Sequence, residues 1–149
     1  MTVGEFCTRE VVFAERKTSI VELAQLMRQH HVGTLIVIED REDQGVPVGI
    51  ITDRDIVVEI VAQEVDMDSV TAEDIMSFDL VSVRETDGIW DTLVQMRSKG
   101  IRRVPVVNDK GGLEGILTMD DLVELLAEEL SLLAKVIATE QAQERKKLD

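Results

Sequence analysis

Two stretches of this chain repeat each other at a nearly fixed spacing, and that limits the fold more than any other feature. Met27-Arg28 recurs as Met96-Arg97, and Ile20 recurs as Ile89. In step with them, VGTLIVIED (Val32–Asp40) lies over IRRVPVVND (Ile101–Asp109). After a loop three residues shorter, GIITDRDIV (Gly49–Val57) lies over GILTMDDLV (Gly115–Val123). Two copies of a unit of roughly 50–60 residues fill most of the chain, the signature of a duplicated architecture. Neither copy is large enough to stand as an independent domain.

Each copy has the same local pattern. A β-prone piece, Glu10–Ala14 or Leu80–Val83, precedes a helical stretch, Ser19–His30 or Gly88–Lys99. In the first stretch Ile20, Leu23, Ala24, Leu26 and Met27 recur at three- and four-residue spacing, one face of a helix. Thr34–Ile38 and Arg103–Val107 are rich in β-branched residues and read as strands. Polar turns follow at Arg41–Gly45 and Asn108–Gly112, then second strands ending in Ile50-Ile51 and Ile116-Leu117, then helices opening at Thr52 and Thr118. The fold class is α/β, with the order β-α-β-β-α twice. Thr71 is a plausible N-cap for a short turn holding Asp74, Ile75 and Met76. From Asp120 to about Lys146 neither Gly nor Pro occurs, and Leu122, Leu126, Leu130, Leu133 and Ile137 form a stripe. That is a helix of roughly 40 Å, long enough to overrun a small domain. It either folds back over its own core or packs against another subunit. The divisions are 1–66 and 67–126 for the repeats and 127–149 for the helical extension.

Charge and composition exclude several functions. The 30 acidic against 16 basic residues leave a net charge of −14, which disfavours nucleic acid or an anionic membrane as partner. Aromatic residues are 3% of the chain, too few for a base-stacking platform. The single cysteine, Cys7, cannot form an internal disulfide. No basic stretch followed by an apolar one opens the chain, so a cytoplasmic location is expected.

The sharpest motif is Gly-x-x-Thr-x-x-Asp, present as Gly49, Thr52, Asp55 and as Gly115, Thr118, Asp121. A strand delivers Thr to a helix start, where backbone N–H groups and the helix dipole favour an anion. The Thr hydroxyl can donate to a phosphate, and the Asp carboxylate can accept from both hydroxyls of a ribose. Gly permits close approach of a ligand or of another backbone. The same residues also make a capping box, which satisfies orphan helix donors and binds nothing. Spacing leaves both readings open.

Charge is also unevenly spread. Residues 1–74 hold 6 basic and 16 acidic side chains, residues 75–149 hold 10 and 14. Arg97, Lys99, Arg102, Arg103 and Lys110 cluster in the second copy. Strand alternation puts Arg102 and Arg103 on opposite faces, so one of them at most serves a given site. Gly33 and Thr34 stand at the matching places of the first copy. No metal set is apparent: His30 and His31, adjacent on a helix, diverge too far to chelate. Cys7 has no evident base, and no phosphate-binding loop occurs.

Together GIITDRDIV, GILTMDDLV, KGIRRVPVVN, Asp74-Ile75-Met76 and the repeat length resemble a tandem pair of cystathionine-β-synthase (CBS) domains, a Bateman module, over the chain to about residue 126. The resemblance implies two units packed through their sheets around two clefts for adenosyl ligands. It implies ribose contacts from Asp55 and Asp121 and phosphate contacts from Thr52, Thr118 and either Arg102 or Arg103. Val12, Ile36, Val81 and Pro105 would flank the adenine. In the first copy Arg54 is the candidate cation. The expected function is a non-catalytic regulatory module that binds AMP, ADP or ATP and signals to a regulated protein not identified by the sequence. Pairing into a homodimer is also implied. The alternatives are a ligand-free scaffold or dimerisation module, and a module for S-adenosylmethionine or NAD.

Overall fold

The computed structural model describes residues 1–148. The first copy contains β1 (Phe13–Glu15), a helix at Ile20–His30, β2 (Thr34–Arg41) and β3 (Gln44–Thr52). The second contains β4 (Val83–Arg84), a helix at Ile89–Lys99, β5 (Arg103–Val107) and β6 (Leu113–Thr118). Counting the short pieces, the helices in chain order are α1 (Val3–Phe6), α2 (Ile20–His30), α3 (Asp53–Asp55), α4 (Ala72–Ile75), α5 (Ile89–Lys99) and α6 (Met119–Leu148). A π-helical stretch, Ile56–Val61, continues α3, and a 3-10 turn covers Met67–Ser69.

Two three-stranded sheets result, ordered β1-β2-β3 and β4-β5-β6. In each the first strand runs parallel and the third antiparallel to the middle one. Even the irregularity repeats, the ladder slipping between Val37 and Ile38 and between Val106 and Val107. The leading strands begin later than the sequence suggests, at Phe13 and Val83 instead of Glu10 and Leu80. The pieces ahead of them have no continuous ladder, although the Ile36 N–H still donates to the Val12 carbonyl. The three extra residues of the first copy lengthen its hairpin. β2 and β3 run on to Arg41 and Gln44, with Glu42 and Asp43 (φ 52° and 62°) turning the chain. Positive φ at both central residues is the hairpin geometry that follows strand twist. The shorter turn is held by Asn108, whose Oδ1 accepts the N–H groups of Lys110 and Gly112 at 2.9 and 3.0 Å.

Ser19 caps α2, accepting the Glu22 N–H at 3.2 Å while Glu22 accepts the Ser19 N–H. His31 closes it in the left-handed region, φ 54°, and Gly100 closes α5 at the same repeat position, φ 65°. Alternation along the strands sends Leu35, Val37 and Ile51 into one core and Val104, Val106 and Leu117 into the other. The intervening Ile36 and Pro105 are buried yet belong to neither core. They lie on the opposite sheet face, where β3 and β6 meet and Asn108 Nδ2 donates to Gln44 Oε1 at 3.0 Å.

The short helices cross between copies. Val3 of α1 is fully buried in the second core, and Ala72 of α4 is fully buried in the first. Their tethers match one for one. Val3 and Gly4 donate to the carbonyls of Asp87 and Glu85, as Ala72 and Glu73 donate to those of Thr18 and Arg16. Thr8 pairs with Ile116 as Ser77 pairs with Ile50. The divisions expected at residues 66 and 126 follow the chain, whereas each core takes a segment from across the first of them.

α6 does not fold back. Leu122 and Leu125 are buried in the second core, and every residue from Leu126 to Leu148 is exposed. At 1.5 Å per residue its 30 residues span about 45 Å.

Candidate functional site

β3 ends in Thr52 and β6 in Thr118, each the N-cap of the helix that follows. Asp55 Oδ2 accepts the Thr52 N–H at 2.8 Å, and Thr52 Oγ1 accepts the Asp55 N–H at 3.2 Å. The second copy repeats both bonds at 2.8 and 3.2 Å between Thr118 and Asp121. The capping box is therefore real in both copies. It uses one carboxylate oxygen; Oδ1 of Asp55 and of Asp121 accepts no hydrogen bond among the described residues. Both Asp residues are half-buried.

The two hydroxyls differ. Thr118 Oγ1 donates to Asp121 Oδ2 at 2.9 Å, so its proton is already engaged. Thr52 Oγ1 donates to nothing among the described residues. Opposite Thr52 in the ladder stands Thr34, whose buried Oγ1 has no hydrogen-bond partner among the described residues. The first copy thus presents two uncommitted hydroxyls at neighbouring strand ends. In the sequence Thr34 is only the residue that stands where the second copy has Arg103.

In the second copy the residue opposite Thr118 is Arg103. Val104 and Leu117 face the core, so alternation puts Arg103 and Thr118 on the other face together with Pro105. Arg103 is half-buried and in no ion pair among the described residues. Arg102 is exposed, with its guanidinium 3.9 Å from Asp120; its carbonyl accepts the Met119 N–H at 2.7 Å. Arg54 is exposed at the first turn of α3, its N–H held by Asp53 Oδ1 at 2.8 Å.

The apolar candidates are divided. Ile36 is fully buried and Pro105 is buried on the inter-sheet face. Val12 and Val81 are half-buried and pack against the first and second cores. Val12 also lines a cleft of about 570 Å³ with Glu10, Val11, Phe13, Leu26, His30 and Val32. Asp55 lines a separate cleft of about 300 Å³ with Glu59, Asp74 and Ser77. Phe13 pairs in register with Ile36, is half-exposed, and lines two further clefts beside the first. An exposed aromatic on a strand was the available signal, and low aromatic content hid it.

Burial pushes the Cys7 thiol up from its ordinary value, the Arg9 guanidinium pulling the other way. Cys7 is consequently a neutral thiol at physiological pH, packed against the second core. Among the described residues no group of His, Cys, Asp and Glu side chains could hold a metal ion, and no helix is long and apolar enough to cross a membrane.

Comparison with known proteins agrees with this geometry. The family model for the CBS domain matches twice, over residues 3–62 and 72–128. An uncharacterized protein of Methanopyrus kandleri is 38% identical over 125 residues, covering 84% of this chain and 62% of that relative. The chain therefore spans less than two thirds of that relative's length. A CBS domain-containing protein of Bacillus subtilis is 37% identical over 121 residues, covering 81% of this chain and 82% of its own. Among solved structures, a CBS domain pair in complex with 5′-methylthioadenosine and S-adenosyl-L-methionine superposes with a TM-score of 0.74 at 27% identity, covering 87% of this chain and 98% of that one. Hypoxic Response Protein I, solved with two coordinated zinc ions, superposes with a TM-score of 0.71 at 29% identity, covering 83% and 98%. With two matched domains, duplicated sheets and the crossed short helices, the chain belongs to the CBS domain family, as a tandem pair carrying a long C-terminal helix.

Proposed function

We propose that this CBS pair is a non-catalytic cytoplasmic sensor that binds adenine nucleotides at its two strand-end sites and reports their level to a regulated protein. The carrying observation is the second-copy site. Arg103, in no ion pair among the described residues, stands opposite Thr118 on one sheet face, and Asp121 keeps an Oδ1 that accepts no hydrogen bond among them. A cation and a carboxylate at one helix start suit a ligand with phosphate at one end and a diol at the other. In the first copy Thr34 and Thr52 supply hydroxyls and Arg54 an exposed charge, which suits a ligand with less negative charge. Asp55 and Asp121 receive ribose hydroxyls on Oδ1 without giving up their caps. Phe13 and Val12 supply apolar surface for the adenine near the first site, and Val81 and Pro105 near the second. The exposed apolar face of α6 supports assembly as a homodimer.

A second reading has its own observation. The related CBS pair solved with 5′-methylthioadenosine and S-adenosyl-L-methionine carries adenosyl groups without phosphate. Calorimetric titration of nucleotide-free protein with AMP, ADP, ATP, NAD and S-adenosylmethionine separates the two. Tightest binding of a mononucleotide is expected. Tightest binding of S-adenosylmethionine or NAD would replace the ligand class, and no heat with any of them would leave a ligand-free scaffold.

A further inference from the structure

Beyond the body of the molecule, α6 carries a surface with no partner among the described residues. Leu130, Leu133, Val136 and Ile137 are 66%, 63%, 66% and 57% exposed. They continue the line of Leu122 and Leu125, which are buried on the second core. Helical periodicity keeps Leu126, Leu130, Leu133 and Ile137 on one stripe, at spacings of four, three and four, the pattern of a helix–helix seam. The stripe is about 17 Å long.

Charge along the helix is polarised. Its first part carries Asp120, Asp121, Glu124, Glu128 and Glu129 with no base among them. From Lys135 onward the bases Lys135, Arg145, Lys146 and Lys147 outnumber Glu140 and Glu144. A second copy laid parallel would set acid against acid and base against base. Laid antiparallel, it sets each acidic part against the partner's basic part while the two stripes still meet. Like charges brought together are unfavourable, and complementary charge fixes orientation. A stripe that fits itself is also what a two-fold interface requires.

We infer that α6 pairs antiparallel with α6 of a second copy of this chain, crossing near Leu133. This deepens the homodimer reading above by naming its surface and orientation.

The test combines light scattering with spin-label distances on the full chain. Cys7→Ala removes the native thiol, and Gln143→Cys carries a nitroxide on the exposed end of the helix. A dimer at micromolar concentration is expected, with labels about 30 Å apart, since each lies ten residues from the crossing at 1.5 Å per residue. Leu133→Asp, at an exposed position, is expected to give a monomer whose body melts at the unaltered temperature. A monomeric intact chain would overturn both the pairing and the homodimer reading. A dimer with labels within about 15 Å of each other, the helix–helix spacing plus the label arms, would overturn the antiparallel orientation alone. A dimer that Leu133→Asp leaves intact would place the contact elsewhere on the molecule and overturn the α6 pairing while leaving the homodimer reading standing.

Discussion

Arg103 begins β5 opposite Thr118 and is half-buried, whereas Arg102 is exposed and lies 3.9 Å from the equally exposed Asp120. An exposed pair at that distance contributes little, so the two arginines should separate cleanly on mutation. Arg103→Ala is expected to weaken ATP by about 10- to 100-fold, the loss of one charge-assisted contact, while adenosine binding changes little. Arg102→Ala is expected to alter neither. An ATP-to-adenosine ratio left unchanged by both variants, read by calorimetry, would show the basic cluster to be a solvated edge. Cys7 offers a pH test. Its thiol is raised above the ordinary value of 9.0 by burial, so the folded state binds its proton more tightly than the unfolded state does. That contribution is fully present below the ordinary thiol value and is lost as pH rises through the raised one. Melting temperature should therefore hold up to the ordinary thiol value of 9.0 and fall as pH rises above it, less steeply in Cys7→Ala; equal slopes would contradict the burial of the thiol. At this scale the site was only partly legible in sequence. Thr52, Asp55, Thr118 and Asp121 were visible as a repeated motif, but capping and ligand binding use the same atoms. Only the observation that one oxygen of each carboxylate closes the box, leaving the other uncommitted, lets both readings hold. Thr34 was hidden because its interest lies in an unsatisfied hydroxyl, which no spacing encodes.

Among the elements, the crossed short helices explain the glycines of the repeated motif. A Cβ on Gly115 would sit 2.8 Å from the Thr8 carbonyl oxygen and 2.9 Å from Cys7 Sγ. A Cβ on Gly49 would meet Met76, 2.5 Å from Sδ and 2.8 Å from Cγ. Both strands pass directly beneath the segment donated by the other copy, so the close approach is to protein and not to ligand. A carbonyl anchored in a two-way bridge moves less readily than a thioether. Gly115→Ala is therefore expected to cost about 2–3 kcal/mol and Gly49→Ala about 1 kcal/mol, measured by denaturant unfolding; the reverse order would contradict the crossing. Sequence reading found the long helices, the central strands and Thr71 as a cap because each carries a periodicity or a capping pattern. It could not find that Val3–Phe6 belongs to the second core, since four residues hold no period. The same shortness blurred the leading strands, whose pairing is set by tertiary packing against β2 and β5.

For the whole molecule, a net charge of −14 makes self-association unfavourable unless a specific surface overrides it, and the exposed apolar stripe of α6 is a surface with apolar area to do so. Since none of the described residues beyond Leu126 is buried in the chain itself, a chain cut after Glu128 should keep the melting temperature of the body at low concentration and lose the dimer. A large drop in melting temperature of the truncated monomer would show that the helix supports its own domain. The claim on which the functional reading rests is that Asp121 caps a helix and holds a ribose at once. Calorimetric titration of AMP into nucleotide-free wild-type and Asp121→Ala protein tests it most directly. Loss of two hydroxyl contacts to a carboxylate, about 2–4 kcal/mol, should weaken binding at the second site by at least about 30-fold, alongside a stability loss of about 1 kcal/mol from the missing cap. A folded Asp121→Ala protein that binds AMP as tightly as wild type would contradict it, and would leave Thr118 and Asp121 as a helix cap alone.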